Sequence, residues 1–120
     1  MHYAVYDLEP LVRAAMAAGT LDEDWMNLQA ENGATLAAGL NWLLLYARGK
    51  KTHEEYVHTT VKFDLKRRDA GVAGFTGLWE PKSSGQLYWL ASTLAQRYLP
   101  VAKGLINEAS WIGACWQVRP

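Results

Sequence analysis

Thr35-Leu36-Ala37-Ala38-Gly39-Leu40-Asn41-Trp42-Leu43-Leu44-Leu45-Tyr46-Ala47-Arg48-Gly49 is the stretch that decides the fold class. Leu36, Leu40, Leu43, Leu44 and Ala47 fall at the spacing that lines one face of an α-helix. Asn32 or Thr35 opens the segment as an N-cap, and Gly49 closes it. Outward from it the period recurs. Leu8, Leu11, Val12, Ala15 and Met16 carry it on one side, with Gly19 as the stop. Leu87, Leu90, Ala91, Leu94 and Tyr98 carry it on the other. Strand patterning is sparse. The reading is all-α, with four to six helices in antiparallel hairpins.

Three pairs fit capping boxes, in which a hydroxyl and a carboxylate or amide satisfy orphan backbone N–H groups. Thr52 with Glu55 predicts a helix through Tyr56, Val57, Thr60, Val61, Asp64 and Leu65. Ser83 with Gln86 opens the helix of Leu87, and Thr20 with Glu23 opens a short turn at Trp25 and Met26. Pro100 breaks the pattern after Tyr98, which predicts a kink or a second helix through Val101, Leu105, Ala109 and Ile112. Residues 69–85 hold Gly71, Gly74, Gly77, Pro81 and Gly85, a loop of functional length.

Composition narrows the class. The 120 residues form one helical domain, residues 1–120, with a single core. Twelve basic against twelve acidic side chains argue against a nucleic-acid-coating protein. Half the residues are hydrophobic, which argues against disorder. A lone Cys115 excludes an intrachain disulfide. Trp42-Leu43-Leu44-Leu45-Tyr46-Ala47 is far short of the ~20 residues that cross a bilayer. The opening residues lack the basic and apolar regions of a signal peptide, so the chain as given reads as cytoplasmic.

Few motifs carry chemistry. His53-Glu54-Glu55-Tyr56-Val57-His58 fails as a zinc motif, because its histidines are five apart rather than four. Glu54 and His58 are spaced as a solvated pair on a helix face, and neither a metal nor another cofactor is expected. Lys62, Lys66, Arg67 and Arg68 read as an exposed helix end, with an anion site as the alternative. Trp79, Tyr88 and Trp89 bracket the Gly-rich loop. They could stack a sugar, although Trp89 also fits the core beside Leu90 and Leu94. Trp111 and Trp116 would cap the core or form a partner patch.

Tyr3-Ala4-Val5-Tyr6-Asp7-Leu8-Glu9-Pro10-Leu11 resembles a stretch of the alginate lyase family, helical polysaccharide lyases with an α/α-toroid fold. The likeness continues through Ala14–Gly19, Glu31–Leu36, Trp79-Glu80-Pro81 and Leu87–Leu90, over roughly residues 2–100. The resemblance implies β-elimination at a uronic acid. It places Tyr3 on the catalytic tyrosine, with Tyr6 on the same helical face; His2, Trp79, Tyr88 and Trp89 join Tyr6 as candidate substrate-binding residues. The family's Asn-Asn-His motif and the Arg preceding its tyrosine have no counterpart here, and a closed toroid takes more helices than this chain offers. The family enzymes are secreted or periplasmic.

The expectation is therefore a truncated or non-catalytic relative that binds an anionic, uronate polysaccharide. The alternative is a small homodimeric helical interaction protein without catalytic activity. Apolar faces left by a lost toroid neighbour predict self-association, and no membrane partner is expected.

Overall fold

A computed structural model describes residues 1–107 and folds them into five α-helices. These are α1 (His2–Gly19), α2 (Leu36–Ala47), α3 (Lys62–Asp69), α4 (Gly85–Leu94) and α5 (Leu99–Leu105). Short 3₁₀ turns at Pro81–Ser84 and Gln96–Tyr98 lead into α4 and α5. Among the described residues there is no strand, only an isolated antiparallel bridge between Glu54 and Leu78. The described residues are all-α, as the periodicity implies. Trp111, Trp116 and Cys115, with the expected continuation through Ala109 and Ile112, lie outside the described residues.

α4 is the centre of the packing. It lies against both α1 and α5, while α2 packs on α1 and on the Pro81–Ser84 turn. Val12 and Met16 of α1, Leu40 and Leu43 of α2, Leu87, Leu90 and Ala91 of α4, and Val101 and Ala102 of α5 meet in one core. Most of these are residues the helical period selects, because a 3.6-residue repeat puts them on one stripe; Leu11, also in the period, stays exposed. Two tyrosines tie α2 to the rest. The Tyr88 hydroxyl donates to the Leu40 carbonyl at 2.9 Å, and the Tyr98 hydroxyl donates to Asn41 Oδ1 at 2.9 Å.

The ends of α2 follow the sequence signals. Thr35 Oγ1 accepts the Ala38 N–H at 3.0 Å, and Gly49 follows the cap residue Arg48 at φ +68°. Pro100 gives two helices rather than a kink: α4 stops at Leu94, and Pro100 sits in the first turn of α5, where its missing N–H costs nothing.

The three capping boxes are corrected. Thr20 caps the end of α1 rather than opening the segment of Trp25 and Met26, its hydroxyl donating to the Ala17 carbonyl at 2.6 Å. Ser83 donates to the Glu80 carbonyl at 2.7 Å, inside a 3₁₀ turn whose cap is Glu80. No helix begins at Thr52. Residues 52–61 are irregular, and α3 begins only at Lys62. Tyr56 there has φ +58°, outside the helical region and disfavoured for a residue with a Cβ. Glu54 and His58 consequently do not share a helix face. The Gly-rich loop is also shorter than residues 69–85: α3 runs through Asp69 and the 3₁₀ turn starts at Pro81. Gly71, Gly74 and Gly77 within it all adopt positive φ, which explains their density.

Candidate functional site

The first turn of α1 has no acidic residue of its own to offset its positive end. Glu55, from the irregular segment, supplies the carboxylate. Its Oε1 accepts the His2 N–H at 2.9 Å, its Oε2 accepts from the Met1 nitrogen at 3.0 Å, and the residue is 2% exposed. The acid that the sequence assigns to its own helix thus caps another, 53 residues away in the chain. This capping carries the backbone of residues 53–56 to the start of α1. The bridge there is held by Glu55 N–H to the Gly77 carbonyl (2.9 Å) and Trp79 N–H to the His53 carbonyl (2.8 Å).

The same junction gathers aromatic rings. Phe75, buried, stacks on Tyr56 with centroids 4.9 Å apart and planes 17° apart, and meets His2 at 5.0 Å. Tyr3 stands edge-on to both Tyr56 and His2, each at 5.8 Å. α3 closes the group. The Tyr3 hydroxyl donates to Asp64 Oδ1 at 2.9 Å, and Asp64 is 1% exposed. Arg67, one helical turn on, places its guanidinium carbon over the rings of Phe63 (4.1 Å) and Phe75 (4.6 Å).

The electrostatics of the phenols follow. The hydrogen bond to Asp64, then desolvation and the Asp64 charge, raise the pKa of Tyr3 above its ordinary value; Arg67 and the neighbouring Tyr56 oppose the rise. Burial pushes Tyr56 up to about 12, helped by Tyr3, Glu55 and Asp64 and opposed by Arg67. The Tyr56 hydroxyl is buried without a hydrogen-bond partner among the described residues; its effect on Tyr3 is that of a near neighbour outside bonding geometry. The hydrogen bond to Asp64 thus favours the neutral form of the Tyr3 phenol.

The expected site residues divide. His2, Tyr3 and Tyr6 share the exposed start of α1. Tyr6, 71% exposed, flanks a shallow depression of about 330 Å³ with Glu9, Pro10 and Arg13. Pro10, lacking an N–H, leaves the Tyr6 carbonyl without its helical donor beside this depression. Trp79, Tyr88 and Trp89 are not brought to them. Tyr88 is fully buried, and burial also pushes its phenol pKa up. Trp79 belongs to the core cluster, and half-buried Trp89 donates its indole N–H to the Ile106 carbonyl at 3.2 Å. The sugar-stacking role read for Tyr88 and Trp79 is corrected: the core uses the faces a sugar would need.

Asp64, Glu55, Tyr56 and Phe75 were not among the expected site residues. Asp64 had a signal, because it falls within the apolar period of residues 56–65, where a carboxylate requires a partner. Among the described residues no three His, Cys, Asp or Glu side chains gather as metal ligands. No helix there is long and apolar enough to cross a membrane.

Residues 1–53 match the alginate lyase family model. The match covers α1, residues 20–35 and α2, less than half of the 120 residues, and it supports a partial alginate lyase relationship. It includes His2, Tyr3 and Tyr6 and ends before Glu55, Tyr56, Asp64, Arg67 and Phe75. No curated protein and no solved structure gives a significant match. The alginate-lyase-like part of the chain thus supplies the tyrosine, and residues beyond it supply the groups that hold that tyrosine.

Proposed function

We propose that this alginate-lyase-like helical domain is a non-catalytic relative that binds an anionic, uronate polysaccharide at the start of α1. The observation that carries the reading is the 2.9 Å hydrogen bond from Tyr3 to the buried Asp64. β-Elimination needs a base to take the proton beside the uronate carboxylate. A phenol whose pKa is raised by an adjacent carboxylate is held in the wrong state for that task. The same phenol, with His2, Tyr6 and Phe63, leaves exposed rings on which the C–H faces of a sugar can rest. α3 adds charge of the needed sign, with four cations against two acids.

The test incubates the protein with a polyuronate and follows both the absorbance of unsaturated uronates and binding by calorimetry. Binding without new absorbance is expected. Unsaturated product that disappears in Tyr3→Phe overturns the non-catalytic reading.

A second reading is a homodimeric interaction protein. It is favoured by an apolar groove of about 360 Å³ between α1 and residues 25–36, lined by Leu8, Leu11, Trp25, Leu28 and Leu36 among others. Leu11 and Leu28 are 55% and 63% exposed there, and a second copy would cover them. Solution mass separates the readings: a dimer that has no affinity for polyuronates favours the second.

A further inference from the structure

We propose that the Arg67 guanidinium is an anion-binding group that receives a single sugar-borne carboxylate beside Tyr3. This rests on the polysaccharide reading and names the contact on which that reading depends.

The four cations of α3 are used differently. Arg68 is committed: Nε and Nη2 bond Asp69 Oδ1 at 3.1 and 2.9 Å, and Nη1 donates to the Tyr56 carbonyl at 3.3 Å. Lys62 and Lys66 are exposed, and an ammonium is a compact, strongly hydrated point charge. Arg67 is half-buried and lies over two phenyl rings, yet among the described residues its guanidinium makes no hydrogen bond and no ion pair. Its natural partner would be Asp64, three residues earlier on the same helix. Asp64 instead takes the hydroxyl of Tyr3, and no ion pair to Arg67 forms. Asp64 thus bonds Tyr3 without pairing to Arg67, whose N–H donors stay unspent among the described residues.

The rings make the difference chemically. Stacking restricts a long side chain before any ligand arrives, so less rotamer freedom is lost on binding. Phe75 is itself fixed between His2 and Tyr56, which anchors the stack to α1 and to residues 53–56. The guanidinium edge keeps its fork of N–H donors, a shape matched to the two oxygens of a carboxylate. Arg67 also lies within electrostatic reach of Tyr3 and Tyr56, since its charge opposes the rise of both phenol pKa values. Exposed Phe63 and Tyr3 stand on the same group and offer apolar faces to the attached sugar ring.

The test observes the Arg67 Nε–Hε resonance of the wild-type protein during titration with an oligouronate, glucuronate, glucose and inorganic phosphate at low salt. Affinities of Arg67→Gln and Arg67→Lys for the oligouronate are measured alongside, with circular dichroism confirming their fold. The resonance is expected to move with oligouronate and glucuronate but not with glucose. Arg67→Gln is expected to bind at least about tenfold more weakly, and Arg67→Lys to recover only part of the loss because an ammonium lacks the fork. Oligouronate binding that persists in Arg67→Gln overturns the Arg67 site and leaves the polysaccharide reading standing. A resonance that responds to glucuronate in a protein with no affinity for longer uronates supports the carboxylate site and overturns the polysaccharide reading. A resonance that moves equally with phosphate overturns the carboxylate assignment, and one that moves with none of them overturns the site.

Discussion

Tyr3 and Asp64, 61 residues apart in sequence, are joined by a 2.9 Å hydrogen bond from phenol to carboxylate. Asp64 is 1% exposed while Tyr3 is 46% exposed, so a buried acid holds a surface phenol. A carboxylate acceptor stabilises the neutral phenol against ionisation, and it also orients the ring. Asp64→Asn removes the charge and keeps the shape. The Tyr3 pKa is then expected to fall back towards its ordinary value, which tyrosinate absorbance or ring NMR shifts will report. An unchanged Tyr3 titration would separate the hydrogen bond from the shift.

Alkaline pH is expected to weaken the fold through Tyr56. Its pKa in the folded chain is about 12, against an ordinary value of 10.0, so the folded state binds the proton more tightly. The stability this group contributes is complete below pH 10 and is lost as pH rises through 12. Denaturant melts across that window should show falling stability, reduced in Tyr56→Phe. Tyr3, also shifted up, adds to the loss in the same direction.

Glu55 is expected to matter for folding more than its place in an irregular segment suggests. It caps α1 by accepting the His2 N–H at 2.9 Å and is 2% exposed. Glu55→Ala should cost about 1–2 kcal/mol, the range of a lost helix cap. Chemical denaturation measures this. The loss should be accompanied by faster amide exchange in the first turn of α1, where the orphan donor reappears.

How much of this was legible in the sequence depends on the range of the interaction. α2 was readable with both its ends, because Thr35, the Leu stripe and Gly49 act within a few residues of one another. The break at Pro100 was readable for the same reason. Glu55 was misread because a capping box and a long-range cap use the same side chain, and only tertiary structure decides which helix end receives it. Tyr88 was misread because its aromatic neighbours fit a core and a sugar platform alike; its hydroxyl on the Leu40 carbonyl places it in the core. Tyr3 was singled out through its motif, whereas Asp64, to which its hydroxyl bonds, lies on a helix outside the family match.

Core and site are therefore separable by substitution. Tyr88→Phe deletes a buried hydroxyl that donates to Leu40 and should lower stability by about 1 kcal/mol. Oligouronate affinity should not change. A loss of affinity with the fold intact would return Tyr88 to the binding residues.

The central claim is that the start of α1 recognises the charge of a uronate polysaccharide. Calorimetric titration of the protein with a polyuronate, and with the same polymer after reduction of its carboxylates, tests it most directly. The expected result is binding of the charged polymer that weakens with salt and is lost on reduction. Equal binding of both polymers, or binding of neither, would contradict the account.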